Sequence, residues 1–254
     1  MENNKVVLAF SGGLDTSYCA IYLASVKKLE VHAVTVNTGG FDEEELKKIE
    51  QHAYSLGVKS WKCVEETENY YSSVIRYLVF GNVLKNNTYP LSVSAERISQ
   101  AMAVANYVKL IGAGSVAHGS TGAGNDQVRF DMVFNILIPE AQIITPIRDM
   151  KLSRQEEIEF LKSHGVKMNF EKAKYSINKG IWGTSVGGKE TLNSKDSLPE
   201  EAFPTQLTKQ GEERIALDFV KGELVGINGN KSSSPVKAIQ ALDELASAYA
   251  IGRD

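Results

Sequence analysis

Apolar runs alternate with amphipathic segments along the first two thirds of the chain. Residues 5–10 and 30–36 form short apolar runs rich in β-branched side chains, which is typical of strands buried on both faces. Residues 15–25 and 43–56 instead repeat their apolar positions at helical spacing, and Gly57 predicts the end of the second helix. This alternation predicts a parallel sheet with helices packed against it.

The same alternation continues to about residue 165. The further predicted elements are strands over 59–64, 114–118 and 142–147 and helices over 94–110 and 153–164. The last of these helices opens with the capping box Ser153-Arg154-Gln155-Glu156 and stops at a glycine. We therefore predict an α/β fold for residues 1–165, with a doubly wound parallel sheet that binds a nucleotide.

The pattern changes after residue 165. Residues 175–210 are rich in Gly, Ser, Thr, Lys and Asn and show little periodicity, which predicts a long loop. Two strand-like runs around Lys221-Gly222 predict a hairpin, and residues 235–250 predict an amphipathic helix opened by a proline. We predict that residues 166–254 are part of a second domain of mixed α+β character.

The segment Ser11-Gly12-Gly13-Leu14-Asp15-Thr16-Ser17 lies between the first predicted strand and the first predicted helix. Backbone N–H groups and the helix dipole favour anions at such a position, and glycines let the main chain approach phosphate oxygens. The hydroxyl side chains add donors, and an aspartate in a phosphate loop is explained by Mg²⁺ between carboxylate and phosphate. The segment therefore predicts a site for Mg²⁺ and a nucleotide, although S-G-G alone is also a common turn sequence.

Neither of two common nucleotide-binding patterns fits this loop. It lacks the lysine of G-x-x-x-x-G-K-[ST] and the spacing of G-x-G-x-x-G. Instead, S-G-G-x-D-x-S resembles the pyrophosphate loop of the N-type ATP pyrophosphatases. That resemblance implies cleavage of ATP between the α and β phosphates.

Charge and composition narrow the classes of partner. The formal net charge is -3, and no Lys/Arg run is longer than a pair, so we predict no nucleic-acid substrate. Cys19 and Cys63 are the only cysteines and lack C-x-x-C spacing, so we interpret them as reduced packing residues. No leader pattern and no run of about 18 apolar residues is visible, which predicts a cytoplasmic protein without a membrane segment.

Two longer segments resemble the signatures of one family. AFSGGLDTS at residues 9–17 and HGSTGAGNDQVRF at residues 118–130 resemble those of the argininosuccinate synthases, and the resemblance covers the whole chain. It implies an adenine nucleotide alpha hydrolase-like fold and an ATP-dependent ligase that joins citrulline to aspartate with release of AMP and pyrophosphate. It also implies Mg²⁺ with the ATP, a place in arginine biosynthesis and a homotetramer.

The resemblance implies three sets of ligand-binding residues and no catalytic side chain. The residues implied to bind ATP are Ala9, Phe10, Ser11, Gly12, Gly13, Leu14, Asp15, Thr16, Ser17, Val36 and Gly119, with Asp15 acting on the metal through Mg·ATP. Those implied to bind aspartate are Thr121, Asn125 and Asp126. Those implied to bind citrulline are Tyr89, Ser94, Asn125, Arg129, Ser176 and Ser185.

These residue types suit their implied ligands. Arg129 offers a bidentate fork for a carboxylate, and Asp126 can accept from an α-ammonium group. The neighbouring His118 follows a strand, where a histidine is more often structural than catalytic. Read without the resemblance, the 118–130 segment is a glycine-rich loop entering a helix, with Arg129 and Asp131 as a surface pair.

The chain departs from the family at two places. Ala123 stands where members usually carry lysine, so a phosphate contact by that side chain is absent while backbone contacts are retained. Members also continue far beyond the position that matches Asp254, so we expect an incomplete second domain and doubtful turnover. Two alternatives stay open: another ligase with a pyrophosphatase loop, such as a tRNA-modifying enzyme, and a non-catalytic ATP-binding module.

Overall fold

The chain folds as two units in a computed structural model that describes residues 4–170 and 175–253. The described part of the first unit comprises residues 4–37, 41–66 and 96–170, and that of the second comprises residues 38–40, 67–95 and 175–253. Residues 67–95 therefore belong with the second unit, although they precede the boundary that we placed at residue 165. The chain leaves the first unit and returns to it, which a division by sequence position alone does not anticipate.

The helices and strands of the described residues are numbered in chain order. The strands are β1 Lys5–Ala9, β2 Glu30–Asn37, β3 Ser60–Glu65, β4 Ser115–Ala117, β5 Gln142–Ile144, β6 Ser176–Gly180, β7 Gly183–Gly187, β8 Leu217–Val220, β9 Glu223–Ile227 and β10 Asn230–Lys231. The α-helices are α1 Leu14–Ile21, α2 Glu43–Ser55, α3 Thr67–Tyr70, α4 Arg76–Phe80, α5 Ser92–Ile111, α6 Asp126–Leu137, α7 Pro146–Met150, α8 Arg154–Ser163 and α9 Pro235–Ser247. Short π-helical segments follow α1 and α3 at Tyr22–Val26 and Tyr71–Ile75.

A five-stranded parallel sheet is the centre of the first unit. Its strand order is β3-β2-β1-β4-β5. Every neighbouring pair is parallel, with Lys5 opposite Glu30 and Val6 opposite Ser115. The order reverses at β1, because the chain adds β2 and β3 on one side and β4 and β5 on the other. The predicted doubly wound α/β fold is confirmed.

Both faces of this sheet are buried beneath helices. Leu8 and Val31 pack in one layer with Leu14 of α1 and Leu161 of α8. The adjacent strand residue Val7 points into the opposite layer, which contains α5 and α6 side chains, including Val104 and Phe134. Successive strand residues face opposite sides of a sheet, so the continuous apolar runs in the sequence reflect burial on both faces.

Helices α2 and α8 both begin with a capping box. Asp42 caps α2 by accepting from the Glu45 backbone N–H, and the Glu45 carboxylate accepts from Asp42 N. Ser153 and Glu156 form the same reciprocal pair at the start of α8, as the sequence predicted. Each pair satisfies backbone donors that the first helical turn leaves without intrahelical partners.

The second unit contains two antiparallel sheets. The β8–β9 hairpin turns at Lys221-Gly222, both of which have positive φ, and this confirms the predicted hairpin. The prediction of a long loop over residues 175–210 is wrong in part, because β6 and β7 form a hairpin there. Their sequences SINKG and GTSVG are polar and glycine-rich, so they lack the apolar alternation that marks a strand.

A separate apolar core supports the second unit. Its buried members are Tyr70, Tyr71, Ile75, Ile181 and Val236. Helix α9 contributes to it, and that helix ends at Ser247, three residues before the predicted end. No helix among residues 4–170 and 175–253 has the length and apolar character to cross a membrane.

Candidate active site

The segment from Phe10 to Gly13 joins β1 to α1 at the carboxyl end of the central strand. Phe10 N donates to Val34 O at 2.8 Å, and the Thr35 hydroxyl donates to Phe10 O at 2.8 Å. These two bonds attach the segment to the end of β2. Because the strand order reverses at β1, the segment lies where doubly wound sheets bind nucleotides.

Gly12 and Gly13 give this loop its shape. Gly12 has φ +77°, and a Cβ added there would lie 3.3 Å from Ile49 Cγ1 on α2. Gly13 is the N-cap residue of α1, without a side-chain cap. The backbone at the start of α1 is therefore open toward a ligand, which is the arrangement that binds phosphate at helix N-termini.

The three hydroxyl side chains of the loop have different positions. Ser11 is exposed, and its Oγ lies 3.3 Å from Thr16 Oγ1. Ser17 is fully buried, and its hydroxyl donates to Gly13 O at 2.7 Å while lying 2.8 Å from His52 Nε2. Because the Ser17 hydroxyl proton is used on Gly13, the His52 ring donates to Ser17. The Thr16 hydroxyl also donates to Gly13 O, at the longer distance of 3.3 Å. Ser11 can contact a phosphate, as can Thr16 if its hydroxyl leaves Gly13, whereas the buried Ser17 side chain supports the loop from beneath.

Four other residues that are predicted to bind ATP are buried or partly buried: Ala9, Phe10, Leu14 and Val36. Phe10 and Leu14 are buried in the apolar layer that contains α1 and α8. The partly buried Ala9 packs against the opposite layer, which contains α5 and α6. Val36 lies one residue before the end of β2 and is 7% exposed, so only its edge is accessible to a base. For these residues, main-chain position rather than side-chain chemistry determines what a nucleotide can contact.

Asp15 interacts electrostatically with a buried carboxyl group that the sequence did not single out. Glu157 of α8 is 1% exposed. Burial, the nearby charge of Asp15 and a hydrogen bond to Asp15 raise the pKa of Glu157 to about 8. Its neutral, protonated form is therefore favoured at neutral pH, which avoids a second negative charge beside Asp15. In the sequence, Glu157 is one of several glutamates on a polar helix, so no local signal distinguishes it.

Gly119 brings the loop after β4 against the phosphate loop. It is buried, and a Cβ added there would lie 3.1 Å from the Asp15 carbonyl carbon. Only a glycine permits this approach without displacing the backbone of α1. The two signature segments of the sequence are therefore neighbours in the first unit.

His118 has a structural role, as the sequence analysis favoured. Its Nδ1 accepts from Ser120 N at 3.2 Å, so Nε2 carries the proton and donates to Asp131 at 3.0 Å. The hydrogen bond from His118 and a second one from Arg148 lower the pKa of Asp131, against the opposing effect of burial. The predicted Arg129–Asp131 pair is not formed, since Arg148 pairs with Asp131 at 2.5 Å.

The predicted substrate residues of this loop lie at its exposed end and at the start of α6. Thr121 and Asn125 are exposed. Asp126 accepts from Arg129 Nη1 at 2.7 Å and from Arg97 Nε at 3.1 Å. The structure thus brings Asp126 and Arg129 into contact and adds Arg97, which the sequence analysis did not include.

The other predicted citrulline residues belong to the second unit. The Tyr89 hydroxyl accepts from the backbone N–H groups of Val93 and Ser94 and lies 3.4 Å from Ser94 Oγ. Burial tends to raise the pKa of Tyr89, but these hydrogen bonds outweigh it and lower the pKa. Ser176 and Ser185 lie on the same face of the β6–β7 hairpin, because Ser176 pairs with Gly187 and Ser185 pairs with Asn178. The four residues thus form two local pairs.

The residues of the loop fit Mg²⁺ that is bound together with ATP better than Mg²⁺ that is bound by protein side chains alone. The described residues contain no group of three or more His, Cys, Asp or Glu side chains that could hold a metal. Asp15 is the one carboxylate within the phosphate loop. Mg²⁺ is commonly held by one or two carboxylates together with substrate phosphates, and Asp15 suits such an arrangement.

Comparison with known families agrees with this geometry. The model of the arginosuccinate synthase N-terminal HUP domain matches residues 5–167, which include both signature segments. The chain belongs to the argininosuccinate synthase family. The match spans the whole parallel sheet and ends just after α8.

Curated argininosuccinate synthases are similar over a longer range. One from Sulfolobus acidocaldarius is 38% identical over 250 residues, which cover 98% of this chain and 63% of the relative. One from Methanocaldococcus jannaschii is also 38% identical, over 97% of this chain and 62% of the relative. An NH3-dependent NAD synthetase from Campylobacter jejuni aligns with a TM-score of 0.46 and 18% identity, over 69% of this chain and 71% of that one. The chain thus spans less than two thirds of the length of these two argininosuccinate synthases.

Proposed function

We propose that this chain binds Mg·ATP and serves the condensation of citrulline with aspartate to argininosuccinate, with release of AMP and pyrophosphate. The observation that carries the proposal is the contact between the 11–17 loop and Gly119 at the reversal of the strand order. This contact supports the proposal, because the 11–17 loop has the features of a phosphate loop and the 119–129 segment carries the polar side chains that we assign to amino-acid substrates. The proposal places the protein in arginine biosynthesis.

The phosphate chain of ATP would bind at the start of α1. Backbone N–H groups of residues 12–16 and the hydroxyls of Ser11 and Thr16 supply donors, and the helix dipole favours the negative charge. Asp15 would contact Mg²⁺, which neutralises phosphate charge when it is bound with ATP. Adenine would lie beside Val36 at the end of β2.

The amino-acid substrates would bind along the 119–129 segment. We assign Thr121, Asn125 and Asp126 to aspartate, with Asp126 accepting from its ammonium group. Citrulline would contact Asn125 and Arg129, and Arg129 would bind its carboxylate. We also assign Tyr89, Ser94, Ser176 and Ser185 to citrulline.

The proposed reaction needs no nucleophile from the protein. The ureido oxygen of citrulline attacks the α-phosphorus, an O–P bond forms, and the bond to pyrophosphate breaks. The aspartate amine then attacks the ureido carbon, AMP leaves with the oxygen, and the amine loses its proton. The contribution of the protein is to orient the reactants and stabilise the charge that develops on phosphate oxygens.

The products of ATP cleavage test this proposal. ATP labelled at the α-phosphate is incubated with the protein, Mg²⁺, citrulline and aspartate, and the labelled nucleotide is separated. We expect AMP, formed slowly and only when citrulline is present. Formation of labelled ADP would contradict the proposal, and so would the absence of any ATP binding.

A cytoplasmic location and a homo-oligomeric state remain predictions.

A further inference from the structure

Four charged side chains meet between α5 and α6, and we call them the 96–129 network: Glu96, Arg97, Asp126 and Arg129. Arg97 Nε donates to Asp126 Oδ2 at 3.1 Å, and Arg129 Nη1 donates to Asp126 Oδ1 at 2.7 Å. Each oxygen of the Asp126 carboxylate therefore contacts a different arginine. One of these arginines comes from the same helix as Asp126, and the other comes from α5.

Arg97 is held more firmly than an ordinary surface arginine. Its side chain is 15% exposed, and its Nη1 donates to Gln100 Oε1 at 2.6 Å and to Glu96 Oε2 at 3.4 Å. Glu96 is itself buried. A guanidinium group that contacts three acceptors in a mostly buried position has little freedom, so it presents its Nε–H in a fixed direction.

This rigidity bears on the direction of the Asp126 carboxylate. Asp126 and Arg129 are three residues apart on one helix, where a carboxylate can rotate to meet the arginine fork with both oxygens. The contact from Arg97 to Oδ2 opposes that rotation. A carboxylate has about four acceptor positions, and the two arginine contacts leave acceptor capacity on a side chain that is 34% exposed.

We infer that Arg97 is a positioning residue that orients Asp126 to accept from the ammonium group of the amino-acid substrate. The inference rests on the proposed function, since it assigns a role within the proposed aspartate site. Arg97 acts through Asp126 and does not itself touch the substrate. Loss of Arg97 should therefore weaken the binding of ligands that carry an ammonium group. The binding of ligands that carry only the carboxylates should change little.

Calorimetric titration of L-aspartate and of succinate, each with Mg·ATP present, tests this role. Succinate retains both carboxylates and lacks the ammonium group. We expect Arg97→Met to weaken the binding of L-aspartate about tenfold, since a lost charge-assisted contact is worth roughly 1.4 kcal/mol. The same substitution should weaken the binding of succinate less than twofold. Arg97→Lys should recover part of the loss. Arg76→Met, which removes an arginine paired with Glu223 in the second unit, is the control and should change neither titration.

The outcomes separate the inference from the proposed function. Equal weakening of both ligands, or no weakening of L-aspartate, would overturn the positioning role. If Arg97→Met does not fold, Arg97→Lys carries the test, because it keeps the charge but cannot reach Asp126 and Gln100 together. A selective loss for L-aspartate then supports the role, and an equal loss overturns it. A wild-type protein that binds Mg·ATP but neither ligand would contradict the proposed aspartate site itself.

Discussion

At the scale of single residues, the 11–17 loop interacts with side chains that lie far from it in sequence. Glu157 supports Asp15 from α8, and His52 supports Ser17 from α2. Both supporting residues are distant in sequence from the loop. Their contributions can be measured by unfolding experiments without a ligand, because these side chains affect the stability of the folded protein.

The protonation of Glu157 predicts a specific pH dependence of stability. Its pKa is raised from 4.5 to about 8 in the folded protein, so between these values the folded state holds a proton that the unfolded state has lost. Stability due to Glu157 is therefore present below pH 4.5 and lost as the pH rises toward 8. Glu157→Gln keeps a neutral side chain of the same size and removes the titration.

Urea unfolding of both proteins at pH 5, 6.5 and 8 measures this dependence. We expect the stability of the wild type to fall relative to that of Glu157→Gln by roughly 2–4 kcal/mol across this range, since the limiting slope is about 1.4 kcal/mol per pH unit. Parallel pH profiles of the two proteins would show that Glu157 is ionised in the folded state.

Ser11 and Ser17 should respond in opposite ways to the same substitution. Ser17→Ala leaves the partly buried His52 ring without this partner, which should cost about 1 kcal/mol of unfolding free energy. Ser11→Ala removes an exposed hydroxyl, so it should change stability by less than about 0.5 kcal/mol while weakening ATP binding. Denaturant unfolding and ATP calorimetry on both variants provide the comparison. A Ser17→Ala protein as stable as wild type would contradict the supporting role.

Asp15 should matter chiefly when Mg²⁺ is present. Asp15→Asn retains the size of the side chain and removes the charge that a hard cation prefers. We expect Mg·ATP to bind about tenfold more weakly or worse, and metal-free ATP to change by less than about threefold. Calorimetry with Mg²⁺ and with EDTA makes the comparison, and equal weakening in both would rule out a metal contact.

At the scale of elements, the loop between β1 and α1 requires glycine for two reasons at one position. Gly12 has φ +77°, and an added Cβ would meet Ile49 at 3.3 Å. Gly57 at the end of α2 has φ +83° with no atom within 4 Å of an added Cβ. Gly57 is therefore a matched control, because a substitution there tests only the cost of a side chain on a left-handed backbone.

Gly12→Ala should cost more than Gly57→Ala. Each substitution strains a left-handed backbone by about 1 kcal/mol, and Gly12→Ala adds displacement of the Ile49 side chain and of the phosphate-binding backbone. We expect the two variants to differ by a further ~1 kcal/mol in thermal unfolding, with ATP binding lost in Gly12→Ala only. Equal destabilisation with ATP binding retained would show that the loop tolerates a side chain.

Elements with regular apolar patterns could be predicted from the sequence, and irregular ones could not. The runs that became β1 and β2 are apolar because both sheet faces are covered, and the Ser153 capping box marks α8 directly. The β6–β7 hairpin was missed because Ser176–Gly180 and Gly183–Gly187 are polar and glycine-rich. Backbone pairing holds these strands together, and apolar periodicity does not report it.

The candidate site was predictable where its residues are adjacent in sequence. The 11–17 loop and the 118–130 segment could be recognised from their own residues, and Gly119 explains why they meet. Glu157, His52 and Arg97 could not be found in this way, because each acts through a partner at least 29 residues away. Only the folded arrangement of α1, α2, α5 and α8 reveals them.

At the scale of the whole molecule, the division of the chain into two units shapes the proposed function. The phosphate loop and the residues assigned to aspartate lie in the first unit, whereas Tyr89, Ser94, Ser176 and Ser185 lie in the second. Nucleotide binding should therefore depend on the first unit. This separation makes ATP binding the most direct test of the account.

A crystal structure of the protein with ATP and Mg²⁺ tests the central claim most directly. The account predicts that the β and γ phosphates lie within hydrogen-bonding distance of backbone N–H groups between Ser11 and Ser17. It also predicts Mg²⁺ near the Asp15 carboxylate and adenine beside Val36 at the end of β2. Triphosphate bound elsewhere on the molecule, with the loop after β1 free of it, would contradict the claim.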